Sequence, residues 1–142
     1  MHETSIALSI LAAVEEVFNE TPGAKRVSKI KLRIGMLSLI DVEALSFALK
    51  VASRGTPAEN AEIEYTIDPP VFRCNRCGHT WSISEEELQR LVEKYGLQSA
   101  MHLHPDIITR FFKCPRCGST DIEIEKGRGV IIESVEIETE NE

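Results

Sequence analysis
The chain has 142 residues, enough for one domain or two small ones, and its 42% hydrophobic content supports a core of ordinary size. A formal charge of −7, from 23 acidic and 16 basic side chains, argues against general affinity for nucleic acid or anionic membranes. No stretch approaches the ~20 apolar residues of a membrane span, and the first residues lack a signal peptide's basic and apolar runs, so a cytoplasmic protein is expected.

Residues 3–20 read as an amphipathic helix. Ile6, Ile10, Val14 and Val17 recur at helical spacing, with Glu15, Glu16 and Glu20 on the other side. Thr21-Pro22-Gly23 stops it. Residues 26–36 alternate, with Ile30, Leu32, Ile34 and Met36 against Lys29, Lys31 and Arg33, which predicts a half-buried strand. Asp41 caps a second helix over about 41–53. Residues 60–67 alternate again, and their acidic face matches the basic face of the first strand. Asp68-Pro69-Pro70 marks a boundary, because two prolines stiffen the connection and cannot donate to a ladder.

Two cysteine knuckles follow, Cys74-Asn75-Arg76-Cys77-Gly78-His79 and Cys114-Pro115-Arg116-Cys117-Gly118, and they hold all four cysteines. Two residues between paired thiolates let both sulfurs reach one metal. The following glycine permits the positive φ that such a turn needs. Four soft ligands in a tetrahedral set suit a structural Zn²⁺. The alternatives are redox C-x-x-C pairs or disulfides, but neither pair opens a helix in a βαβ pattern. Residues 78–113 between the knuckles exceed what a bare zinc ribbon needs. Ser84 with Glu87 predicts a capped helix carrying Leu88, Leu91, Val92 and Tyr95 and ending at Gly96. Residues 97–109 read as irregular. Asp121–Glu125 and Val130–Ile137 read as strands around a Gly127-Arg128-Gly129 turn, and Glu138–Glu142 as a fraying end. The last strand is too apolar for a tail and has no partner in the knuckle module, so it is expected to return to the first sheet. The expected fold class is α+β: a small sheet with two helices, and an inserted four-cysteine zinc-ribbon module carrying an extra helix. The domains would be 1–68 with 126–142, and 69–125.

Met1-His2-Glu3 is a second candidate metal site. The imidazole of His2, its deprotonated backbone nitrogen and the terminal amine can close fused chelate rings, and Glu3 adds a carboxylate. Nitrogen-rich planar sets suit Ni²⁺ or Cu²⁺. On spacing alone, a histidine at position two is more often incidental. His79 follows the first knuckle, but four thiolates already fill a tetrahedral site, so it is expected beside the zinc ligands rather than among them. His102 and His104 are alternate residues beside Pro105. In an extended segment they would share a side, either as a solvated loop or as additional nickel ligands.

Several of these features occur together in one known family. The start Met1-His2-Glu3, the amphipathic helix and the strand ending Ile34-Gly35-Met36-Leu37-Ser38 come first. A helix with Glu43 and Phe47, the two C-x-x-C pairs and Glu133-Ser134-Val135-Glu136-Ile137 follow in order. Together they resemble the HypA family of hydrogenase maturation nickel chaperones over nearly the whole chain. The resemblance implies a metal-delivery protein and not an enzyme, with His2 and Glu3 serving a transferable Ni²⁺. Cys74, Cys77, Cys114 and Cys117 would hold a structural Zn²⁺. Partners would be a HypB-type nickel-handling NTPase and the large subunit of a [NiFe]-hydrogenase, with urease served by some relatives. The long spacer is similar to that of archaeal members and leaves open a homodimer formed by exchange of the zinc module. The alternative function is a zinc-ribbon module for protein or nucleic acid. Arg73, Arg76, Arg110, Lys113 and Arg116 around the knuckles favour it, and the net charge opposes it.

Overall fold
The computed structural model describes residues 2–140, with His2 described through its backbone alone. The element order is α1 (His2–Glu20), β1 (Ala24–Gly35), a 3-10 turn at Met36–Ser38, α2 (Val42–Ala52), β2 (Glu62–Asp68), β3 (Val71–Cys74) and β4 (Thr80–Trp81). Then come α3 (Glu85–Tyr95), α4 (Gln98–Leu103), a 3-10 segment at Pro105–Phe111, β5 (Ile122–Lys126) and β6 (Val130–Thr139). The mixed α+β class matches the sequence expectation. No helix is long and apolar enough to cross a membrane among the described residues.

The chain forms two compact units: residues 1–33, 40–66 and 131–142, and residues 34–39 and 67–130. In the first, the strand order is β2-β1-β6, so the last strand does return to the first sheet. Ala7, Ile10, Leu11 and Val14 of α1, Leu45 and Leu49 of α2, and Val27, Ile30 and Leu32 of β1 are all buried. Burial along β1 departs from strict alternation between Val27 and Ile30, where Ser28 and Lys29 are both only partly buried. The charges of β1 are paired on both sides. Lys29 Nζ lies 2.7 Å from Glu64 on β2, Arg33 lies 3.4 Å from Glu133, and Arg26 lies 2.8 Å from Glu138 on β6. Thus both β2 and β6 supply carboxylates to the basic side chains of β1. Glu138 does not fray: β6 runs to Thr139, and the Glu140 N–H donates to Gly23 O at 2.9 Å.

In the second unit, β3 pairs with β4 and β5, antiparallel in both cases. Phe72 is fully buried and is surrounded by Leu88, Met101, Ile108 and Ile124, among others. The expected helix is α3. Ser84 Oγ accepts from Glu87 N at 3.1 Å, and Gly96 closes the helix at φ 62°. One sequence expectation needs correction here. Residues 97–109 are not irregular: α4 and the 3-10 segment bury Met101 and Ile108, apolar anchors too widely spaced for periodicity to reveal. Tyr95, read on one side of α3 with Leu88, Leu91 and Val92, is half-exposed, its ring centroid 4.5 Å from that of Phe111 and its plane tilted by 32°.

Backbone closeness decides two glycines. A Cβ on Gly35 would lie 2.3 Å from both C and O of Gly127, and one on Gly127 would lie 2.6 Å from Pro70 Cα. Gly35 N–H donates to Gly129 O at 2.8 Å and Leu37 N–H to Gly127 O at 2.9 Å, so the segments are drawn together by a ladder that admits no side chain.

Candidate metal centre
Both knuckles are built in the same way. In the first, Gly78 N–H donates to Cys74 O at 2.9 Å and Cys74 N–H to His79 O at 2.9 Å. In the second, Gly118 N–H donates to Cys114 O at 2.9 Å and Cys114 N–H to Ser119 O at 2.8 Å. Gly78 and Gly118 stand at φ 80° and 76°, the left-handed values the spacing anticipated. Strand β3 delivers Cys74, whose partner on β5 is Ile122. Sequence reasoning missed Asp121. Its carbonyl accepts from Asn75 N–H at 2.9 Å and its carboxylate from Asn75 Nδ2 at 3.1 Å, tying the first knuckle to the strand after the second. Nothing in its spacing marks this role.

The four sulfurs converge. Cys74 and Cys117 Sγ are 3.6 Å apart, as are Cys77 and Cys114 Sγ, and all four lie within 4.8 Å of one another. A tetrahedron with Zn–S bonds of about 2.3 Å has edges of about 3.8 Å, so the set fits Zn²⁺. All four cysteines are free, which removes the disulfide alternative. Neither pair opens a helix, which weighs against the redox one. Cys74 and Cys114 are buried, while Cys77 and Cys117 are exposed.

The surroundings favour thiolate. Cys114 Sγ accepts from the N–H groups of Arg116 and Cys117, both at 3.4 Å. The Cys74 thiol is pulled down to about 6, chiefly by the Cys77 N–H, then against burial by the Arg76 N–H. For Cys114, burial pushes upward, but the N–H groups of Cys117 and Arg116 outweigh it and the thiol is lowered. Cys117 receives the Ser119 N–H, yet burial and the three neighbouring sulfurs push it up to about 11. One cluster therefore sheds its first proton easily and holds its last, which a bound metal ion would have to displace. When bound, Zn²⁺ would be held by Cys74, Cys77, Cys114 and Cys117 as a closed structural cross-link.

The other candidate residues lie elsewhere. The His79 ring stacks on Trp81, with centroids 5.8 Å apart and planes 13° apart, and it is not among the converging ligands. His102 lies within α4, its Nε2 3.1 Å from Gln98 Nε2, and His104 caps that helix. The segment is therefore not extended: His102 lies on a helix and His104 follows its end. Among the described residues, the cysteines form the sole cluster of three or more candidate ligands. Glu3 lies in the first turn of α1, and His2 is the helix's first residue, its side chain outside the described residues.

Comparison with known proteins places this geometry. The family model described as hydrogenase/urease nickel incorporation, metallochaperone, hypA matches residues 1–137. The hydrogenase maturation factor HypA of Pyrococcus furiosus is 37% identical over 142 residues, covering 100% of this chain and 99% of that protein. Its counterpart in Methanopyrus kandleri is 38% identical, covering 100% and 96%. The fold is similar to the solution structure of the Ni metallochaperone HypA from Helicobacter pylori, with a TM-score of 0.61 at 19% identity, covering 97% of this chain and 98% of that one. A four-cysteine metal-binding geometry, an α+β fold and full-length matches at this level of identity have one reading: the chain belongs to the HypA family of hydrogenase and urease nickel-incorporation metallochaperones.

Proposed function
We propose that this chain binds Ni²⁺ through His2, Glu3 and neighbouring backbone nitrogens and delivers it for maturation of a [NiFe]-hydrogenase, with Zn²⁺ structural at the four cysteines. The observation that carries the reading is the family match over residues 1–137, which spans Met1-His2-Glu3 as well as both knuckles. The first unit would be the nickel-binding domain and the second the zinc-binding one. Capture and transfer, rather than catalysis, would take place in the cytoplasm. The receiving partners would be a HypB-type NTPase and the hydrogenase large subunit. A homodimer with exchanged zinc modules belongs to the same proposal.

Local physics supports a weakly held, transferable ion. N–H groups in a helix's first turn have no acceptor within the helix, so the backbone nitrogens there can be deprotonated and used as ligands without breaking the ladder. The positive end of the α1 dipole opposes a cation by about 0.3–1 kcal/mol, and the Glu3 carboxylate offsets this. His102 and His104 are candidates for a further ligand, and His79 for tuning beside the zinc. Nickel titration of wild type and His2→Ala, with zinc content measured in parallel, tests the assignment. The variant should lose nickel binding and keep its zinc. Unchanged nickel affinity would sink the reading.

A further inference from the structure
Spacing along the chain pairs Cys74 with Cys77 and Cys114 with Cys117, but the fold brings other partners together. Both sulfur pairs at 3.6 Å run between the knuckles: Cys74 with Cys117, and Cys77 with Cys114, residues 43 and 37 positions apart. Each pair joins a buried cysteine to an exposed one, Cys74 to Cys117 and Cys114 to Cys77. A disulfide holds its sulfurs about 2.05 Å apart, so either pair has to close by about 1.5 Å.

The knuckles also face each other through contacts that no metal supplies. Cys74 is opposite Ile122 in the β3–β5 ladder. Asn75 N–H donates to Asp121 O at 2.9 Å, and Asn75 Nδ2 to the Asp121 carboxylate at 3.1 Å. Each turn has its own closure as well, from Cys74 N–H to His79 O and from Cys114 N–H to Ser119 O. These bonds keep the two knuckles in register when a sulfur leaves the metal.

We propose that the four cysteines form a peroxide-responsive site, in which oxidation makes the Cys74–Cys117 and Cys77–Cys114 disulfides and frees the zinc while the knuckles stay joined. The oxidant is hydrogen peroxide. The exposed thiolate of a pair, Cys77 or Cys117, attacks one peroxide oxygen; the O–O bond breaks, hydroxide leaves and a sulfenic acid forms. The buried partner's thiolate attacks that sulfur, the S–O bond breaks and a second hydroxide leaves. Each disulfide thus passes two electrons from two sulfurs to one peroxide. After the first, only two thiolates remain, short of the four that close a structural site, and the site releases its cation. The second pair closes in the same way, and a dithiol reverses both steps by exchange. Disulfides within the knuckles would leave the two turns without a covalent link.

The proposal takes from the reading above only that zinc occupies the cysteines, and nickel has no part in it. Zinc-loaded full-length protein, its zinc content measured first, is treated with hydrogen peroxide beside a chromophoric chelator. Remaining thiols are blocked at low pH, and the chain is digested with trypsin. Arg73, Arg76, Lys113 and Arg116 each directly precede a cysteine, so the four cysteines fall in separate peptides, 74–76, 77–90, 114–116 and 117–126. Mass spectrometry should find 74–76 joined to 117–126 and 77–90 joined to 114–116. About one zinc per chain should be released, and dithiothreitol should restore zinc binding. Non-reducing electrophoresis should show single chains. In zinc-free protein oxidised in urea, within-knuckle bonds should dominate instead, because they close the shortest loops. Failure to bind zinc at the outset would sink the reading of the site and the proposal with it. With zinc bound, disulfides within the knuckles or between chains, zinc retained under peroxide, loss that dithiothreitol does not reverse, or the same pairing in urea would each overturn the proposal alone.

Discussion

Gly35→Ala isolates the close approach of the backbone in the second unit. Gly35 sits at φ −68° and ψ 131°, a conformation alanine adopts freely, so no dihedral strain enters. On entropy alone the change would stabilise by about 0.4–1 kcal/mol. The new Cβ, however, lands 2.3 Å from C and O of Gly127, and those are main-chain atoms that cannot rotate away. Ordinary contact requires the segments to part by about 1 Å, which overpacks by about 1–3 kcal/mol. Parting also strains the hydrogen bonds Gly35 N to Gly129 O and Leu37 N to Gly127 O, worth about 1 kcal/mol each. Net of the entropic gain, the expected loss is about 2–4.5 kcal/mol, a large share of the 5–15 kcal/mol typical of a domain. Gly96→Ala is the control: at φ 62° with nothing within 4 Å, it costs only left-handed strain of about 1–2 kcal/mol. Urea unfolding of zinc-loaded protein, followed through the single tryptophan, Trp81, measures both. If Gly35→Ala proves as mild as Gly96→Ala, the steric argument is wrong.

Three further outcomes are expected. Because zinc must displace the proton held at Cys117, pushed up to about 11, apparent zinc affinity should rise with pH across the neutral range. Competition with a chromophoric chelator at several pH values measures this, and stripping zinc should alter Trp81 emission through the His79 stack. Glu64 and Glu138 are held below the usual carboxylate range by hydrogen bonds from Lys29 and Arg26 respectively. Their stabilisation is therefore present above the unfolded value of ~4.3 and lost as pH falls through the lower folded value, and Glu64→Gln with Glu138→Gln should flatten that acid limb in urea midpoints. Asp41→Ala removes the cap on Ala44 N–H at 3.1 Å and should cost about 1 kcal/mol by the same assay, with zinc content unchanged.

The local chemistry of this protein was legible residue by residue. The knuckle spacing announced four convergent thiolates because two intervening residues and a glycine impose one turn geometry wherever they occur. Asp41 and Ser84 announced their helices because a cap bonds only a few residues ahead. The final strand's return to the first sheet followed from its apolarity, since such a strand needs a partner. Other features were decided only in three dimensions. α4 and the 3-10 segment rest on Met101 and Ile108, which are buried because a core surrounds them. Tyr95 looked apolar by helical spacing, yet the fold gave it Phe111 and solvent instead. Gly35 stood in the sequence as one letter of a family motif, and its necessity lies in Gly127, 92 positions away. Periodicity and spacing record what a residue does with its chain neighbours. Close backbone approach, ring pairs and carboxylate anchors such as Asp121 depend on segments that only the completed fold brings together.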